Sequence, residues 1–137
     1  MIRADRLDHL VLTVRDVEAT TTFYRRVLGL DVVAFGDGRK ALVFGQQKIN
    51  LHQLGAEFEP KAARPTPGSA DLCFVTEASP EAVMAHLTAC DVTVLQGPVR
   101  RIGALGPMTS VYFRDPDENL IEVSSYAASG RVFNGAV

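Results

Sequence analysis

Residues 7–30, LDHLVLTVRDVEATTTFYRRVLGL, carry two periodicities back to back. Leu10, Leu12 and Val14 alternate with His9, Val11 and Thr13, the two-residue period of a strand that buries one face. Val17, Thr20, Thr21, Tyr24, Val27 and Leu28 then recur at helical spacing, with Asp16 placed to cap the first turn and Gly29 to end the last. The stretch reads strand, helix, stop.

The same unit recurs further along. SADLCFVT (69–76) is a second apolar run, followed by Ser79 as N-cap, Pro80 at the first helical position, and Val83, Met84, Leu87 and Cys90 on one helical face. His9 and Asp71 hold equivalent places near the starts of the two strands, so the repeat has a period of about 60 residues. Strand-like pieces follow each helix: LDVVAF, KALVFG and KINLHQL in the first half, VTVLQGPV, MTSVYFRD and NLIEVSSY in the second. Asp37-Gly38 supplies a hairpin turn.

Each half is too small to close a core alone. The expected fold is therefore α+β: two paired βαβββ modules forming a curved mixed sheet around a cleft, with the helices on its outer face. Module one covers about 6–55, a Pro- and Gly-rich linker or flap about 56–68, and module two about 69–126. The tail 127–137 is expected to be disordered or to lie on a partner subunit. GPVRRIGALGP (97–107) reads as a loop over a site.

Bulk properties narrow the function classes. A chain of 137 residues with 47% hydrophobic residues, 22% charged residues and a net charge of −2 suits one globular domain, and it lacks the basic excess of a nucleic-acid binder. Cys73 and Cys90 have no metal-type spacing, no run is long enough to span a membrane, and the start MIRADRLDHL lacks a signal core; a cytoplasmic protein is expected.

One carboxylate stands out in FRDPDENLIEVSSY (113–126). Asp115, Pro116, Asp117 and Asn119 have turn chemistry, so Leu120 begins a strand in which Glu122 shares a face with Leu120 and Ser124 while Ile121 and Val123 share the other. If the Ile121 face is the core, Glu122 faces either water or a cavity. By the same alternation His9 faces away from its helix. A lone strand carboxylate is usually solvated and a lone strand histidine usually structural.

Residues 7–30 and SVYFRDPDENLIEVSSY (110–126) are similar to the two signature stretches of the vicinal oxygen chelate superfamily, which includes glyoxalase I, fosfomycin-resistance enzymes, extradiol dioxygenases and bleomycin-resistance proteins. The resemblance runs from about Leu7 to Tyr126. It implies a homodimer and one divalent metal ion per site, bound by side chains from the first and fourth strands of each module. His9 matches the first-strand histidine and Glu122 the last-strand glutamate, which by family analogy also serves as general base.

Two positions depart from the family pattern. Asn50 stands where glyoxalase I enzymes place a glutamate, with His52 two residues on and on the same face; Asp71 stands where many relatives place a histidine. Asp71 offers a hard oxygen donor, His52 suits Zn, Ni, Mn or Fe, and Asn50 is a weak neutral ligand. The expected metal set is His9, Glu122 and Asp71, with His52 or water. Asp8 is expected to be only an outward or helix-facing polar residue. Arg100 and Arg101 read as a solvated pair, or as partners for an anionic substrate.

The activity this implies is a glyoxalase-like, metal-dependent lyase or isomerase acting on a small oxygen-chelating substrate such as a 2-oxoaldehyde adduct. The alternatives are a metal-free small-molecule binder of the bleomycin-resistance type and a ring-cleaving dioxygenase.

Overall fold

A computed structural model describes residues 1–126, and the chain divides between Ser69 and Ala70 into two units. The tail 127–137, and with it the expectation of disorder or partner contact, lies outside the described residues. In unit one the predicted alternation becomes β1 (His9–Val14), α1 (Val17–Leu28), β2 (Asp31–Phe35), β3 (Arg39–Phe44) and β4 (Gln47–Gln53). The sheet order is β1-β4-β3-β2, with β1 parallel to β4 and the other pairs antiparallel. Both ends of α1 match their sequence signals: the Asp16 side chain accepts from the Ala19 N–H at 3.1 Å, and Gly29 takes the left-handed conformation at φ 66°. Tyr24 and Val27 on α1, and Leu12, Val14, Leu42, Ile49 and Leu51 on the strands, are buried. Burying a side chain of this size contributes about 1.5–3 kcal/mol.

Unit two repeats the order: β5 (Asp71–Val75), α2 (Pro80–Ala89), β6 (Gln96–Gly103), β7 (Gly106–Arg114) and β8 (Leu120–Tyr126), in the sheet order β5-β8-β7-β6. Ser79 caps α2 by accepting from the Ala82 N–H at 3.1 Å, and Pro80 opens the helix. Val83 and Leu87 on the helix, with Val111, Phe113, Ile121 and Val123 on the strands, are buried. Each unit is thus a βαβββ module with a four-stranded mixed sheet, in the α+β class.

One stretch departs from expectation. Residues 97–107 are not a loop: β6 and β7 form a hairpin through them, and β6 begins at Gln96 rather than at Val92. The glycines and prolines that suggested a loop mark a bulge between Gln96 and Val99 and a tight turn after Gly103. At the bulge Gly97 has φ 122°, and a Cβ there would sit 2.6 Å from the Ser110 carbonyl oxygen and 2.9 Å from the Val111 Cα. Close approach of β6 to β7 requires glycine here.

The turn into β8 is tighter than its sequence suggests. Asp115, Asp117 and Asn119 are all buried. The Asp115 carboxylate accepts from the backbone N–H groups of Asp117 (2.9 Å) and Asn119 (3.0 Å) and from the Asn119 side-chain amide (2.9 Å). The Asn119 side-chain oxygen, Oδ1, in turn accepts from the Ala70 N–H at 2.9 Å, which ties this turn to the entry of β5. Glu122 begins its strand from a fixed base.

Candidate functional site: a polar cavity on unit two

Pairing register decides which side chains meet on unit two. Cys73 on β5, Glu122 on β8, Tyr112 on β7 and Gln96 on β6 stand abreast, so all four share the sheet face opposite Ile121, Val123 and Phe113. Asp71, Ser110, Arg114 and Ser124 belong to the same face by alternation. On it lies a cavity of about 430 Å³ whose polar lining is Asp71, Gln96, Arg101, Tyr112, Arg114 and Glu122.

Glu122 is 9% exposed, and the Ser124 hydroxyl holds its carboxylate. Ser124 Oγ donates to Glu122 Oε2 at 3.2 Å, and Ser124 itself lies 2.6 Å from Ser110 Oγ and 3.2 Å from Cys73 Sγ. The Tyr112 hydroxyl interacts with the same carboxylate and accepts from Arg101 Nε at 2.9 Å. Burial raises the Tyr112 phenol above its usual 10.0; Arg101 opposes the shift and the Glu122 carboxylate adds to it. The Cys73 thiol is also pushed up, first by desolvation and then by the charges of Glu122 and Asp71, against a Ser124 hydrogen bond that lowers it. Among the described residues no Lys, Arg or His lies within ion-pair distance of Glu122. A buried carboxylate satisfied only by neutral donors retains its attraction for a cation.

Unit one carries the other sequence-predicted residues. His9, Asn50 and His52 share the face away from Leu12, Val14 and Ile49, as alternation requires. His9 is exposed, and its Nδ1 lies 2.8 Å from Asp8 Oδ2. Where the Asp8 carboxylate takes the Nδ1–H of a neutral imidazole, Nε2 is left to present its lone pair. Asp8 is exposed, as the sequence reading expects of an outward polar residue, and its contact with His9 adds a partner that its position immediately before the histidine could have signalled. The hydrogen bond from His9 is the main cause holding the Asp8 carboxyl below its ordinary value. His52 is 7% exposed and packs edge-on against Phe58 at 5.7 Å, with the Arg39 guanidinium 4.0 Å from the centre of that ring. Asn50 Oδ1 is buried without a hydrogen-bond partner among the described residues.

The registers of the two sheets make the equivalences explicit. Asn50 faces Val11 as Glu122 faces Cys73, and His52 faces Thr13 as Ser124 faces Val75. Asn50 thus occupies the place in module one that Glu122 holds in module two. Asp71 and Glu122 meet in one cavity. His9 and His52 do not meet: His52 pairs with Thr13, four residues from His9 along β1, a separation of about 13 Å. Among the described residues no group of three or more His, Cys, Asp and Glu is gathered to hold a metal ion.

Residues 6–123 match the family model described as the Glyoxalase/Bleomycin resistance protein/Dioxygenase superfamily. The chain belongs to this superfamily. Its similarity to the virulence protein STM3117 of Salmonella typhimurium is 57% identity over 122 residues, covering 89% of this chain and 85% of that protein. The glyoxalase domain-containing protein RDO1 of Mycosarcoma maydis is 60% identical over 120 residues, 88% of this chain and 68% of that one. Among solved structures, the integron cassette protein VCH_CASS1 of V. cholerae superposes with a TM-score of 0.91 at 58% identity, covering 93% and 99% of the two chains. More distant members of the superfamily share the fold, among them a lactoylglutathione lyase of Agrobacterium tumefaciens (25% identity, TM-score 0.68, 89% and 94% covered) and a fosfomycin resistance protein of Listeria monocytogenes solved with Mn(II) (20%, 0.61, 88% and 90%). No helix among the described residues is long and apolar enough to cross a membrane.

Proposed function

We propose that this superfamily member is a glyoxalase-like lyase or isomerase that binds a small oxygen-bearing substrate in the unit-two cavity and moves a proton with Glu122. The observation that carries this reading is Glu122 itself, nine-tenths buried, held by the Ser124 hydroxyl and facing a cavity of about 430 Å³. A base must stand within hydrogen-bond reach of the proton it takes, and a carboxylate held by Ser124 is oriented before substrate arrives. Leu95 and Leu120 form the apolar part of the lining.

The donor chemistry fits a divalent ion of the Zn, Ni, Mn or Fe type. Glu122 and Asp71, which line one cavity on unit two, offer carboxylate oxygens to such an ion, and on unit one His9, or His52 in its place, offers an imidazole nitrogen. When bound, such an ion supplies Lewis-acid polarisation of the substrate oxygens. Glu122 accepts the proton from the carbon beside a carbonyl and returns it to the neighbouring carbon, while Ser124 keeps the carboxylate oriented through both transfers. Support also comes from the relatives named for glyoxalase domains and from the fold neighbour solved with Mn(II).

A metal-free binder is the second reading, favoured by the dispersal of His9 and His52 along unit one. The two separate in one experiment: protein loaded with each divalent ion in turn is assayed against hemithioacetals of small 2-oxoaldehydes. Turnover that Glu122→Gln abolishes supports the lyase. Ligand-induced stabilisation without turnover under any loading supports the binder. As family resemblance implies, we propose a homodimeric assembly, which light scattering at micromolar concentration tests.

A further inference from the structure

The cavity on unit two is polarised across the sheet. In the order β5-β8-β7-β6, Asp71 and Glu122 lie on the first two strands, whereas Arg114 and Arg101 lie on the last two. Two strand spacings, about 10 Å, separate the strand of Glu122 from that of Arg101. Nothing in proton transfer by Glu122 calls for the basic side.

Arg101 is held in place. Its Nε donates to Tyr112 Oη at 2.9 Å, its Nη1 donates to the Arg100 carbonyl at 2.8 Å, and its guanidinium carbon lies 5.4 Å from the centre of the Tyr112 ring. None of these partners is an acid, and among the described residues no carboxylate lies within ion-pair distance of it. Of the five N–H donors of a guanidinium, two are engaged by the described residues, which leave three for something else. Among the described residues Arg114, on the same lining, donates only to the Glu118 carbonyl, at 3.3 Å. The two arginines at 100 and 101 are not one solvated pair: Arg100 pairs with Thr109 and Arg101 with Met108, so they face opposite sides of β6, and Arg101 takes the cavity side. An arginine ordered by neutral partners, with its fork unfilled in a cavity, is prearranged for a planar oxyanion.

We infer that the unit-two cavity binds its ligand by an oxyanion, a carboxylate or phosphate-type group, gripped by Arg101 with Arg114 beside it, while the opposite end of the ligand meets Glu122 and Asp71. This rests on reading the cavity as the substrate site, and it narrows the substrate to a small anion. The ligand enters in one orientation, because reversal sets its negative end against two carboxylates.

Calorimetric titration of inorganic phosphate at fixed ionic strength, with EDTA present, tests this without any metal contribution. Wild type is expected to bind phosphate saturably, and Arg101→Gln to weaken it by about tenfold or more, the scale of losing charge-assisted hydrogen bonds. Arg101→Lys keeps the charge without the fork and should recover part of the loss, and Arg114→Gln should weaken binding less than Arg101→Gln. Glu122→Gln removes a negative charge from the same cavity and should leave phosphate binding equal or tighter. Absence of saturable binding to wild type, or wild-type affinity in folded Arg101→Gln and Arg101→Lys, overturns the inference. Either result leaves the Glu122 reading intact, since divalent binding is titrated separately without phosphate; conversely, loss of that reading leaves the EDTA result standing.

Discussion

Replacing Asp115 by alanine should destabilise the chain more than any other single truncation in the turn that launches β8. Its carboxylate receives three hydrogen bonds, from the N–H groups of Asp117 and Asn119 and from the Asn119 amide, within a buried turn. Alanine removes the acceptor and strands these donors away from water. Hydrogen bonds to a charged group contribute about 1.5–3 kcal/mol each, but three bonds to one acceptor are not additive, so the expected loss is about 3–5 kcal/mol. That is a large part of a typical domain stability of about 5–15 kcal/mol. Asp115→Asn should cost less, about 1–3 kcal/mol, because one oxygen still serves the two backbone donors while a new NH2 opposes the Asn119 amide. The double variant Asp115→Asn/Asn119→Asp restores a donor–acceptor pair there and should show a favourable coupling of about 1 kcal/mol. Urea unfolding followed by circular dichroism reads all three. An Asp115→Ala variant within 1 kcal/mol of wild type, or a double variant no better than the sum of its parts, would refute the reasoning.

Two further outcomes follow from local geometry. Gly97→Ala forces a Cβ to 2.6 Å from the Ser110 oxygen at φ 122°, whereas Gly38→Ala meets nothing within 4 Å at φ 79°; the first should cost about 2–4 kcal/mol and the second about 1, and equal melting temperatures would contradict this. Asp8 should titrate by NMR below its ordinary 3.8, and His9→Ala should raise it toward that value, with Lys48 and Arg6 still opposing the return. Its folded-state value is depressed, so the Asp8–His9 contribution is present above about pH 3.8 and fades as pH falls through the lowered value; a wild-type midpoint at or above 3.8 would remove the pairing.

Much of the fold is legible in the chain because its signals are local. Asp16 and Gly29 bound α1, Ser79 and Pro80 open α2, and the alternation of His9, Val11 and Thr13 with Leu10, Leu12 and Val14 assigns the faces of β1. The alternation around Glu122 likewise placed it opposite the Ile121 core face, on the side that holds the cavity. The β6–β7 hairpin was less legible because Gly97, Pro98, Gly103, Gly106 and Pro107 punctuate loops, bulges and hairpin turns alike. Periodicity also says nothing of what a long side chain reaches. Arg101 pairs in register with Met108 yet bonds Tyr112, four residues along β7, and Phe58 leaves a linker-like sequence to cover His52. The burial of Asp115 needed a network, not a turn motif, to be seen.

The account turns on Glu122 as the functional carboxylate of the unit-two cavity. Isothermal titration of Mn(II), Ni(II) and Zn(II) into chelator-treated wild type and Glu122→Gln, with His9→Ala, His52→Ala and Asp71→Ala alongside, tests that most directly. The expected result is about one ion per chain in wild type, weakened at least 100-fold by Glu122→Gln, with loss of most of the roughly 2.7 kcal/mol of stabilisation that a folded-state ligand gives at 100 times its Kd. Wild type that binds none of the three ions, or a Glu122→Gln variant that binds them as well as wild type, would contradict the assignment.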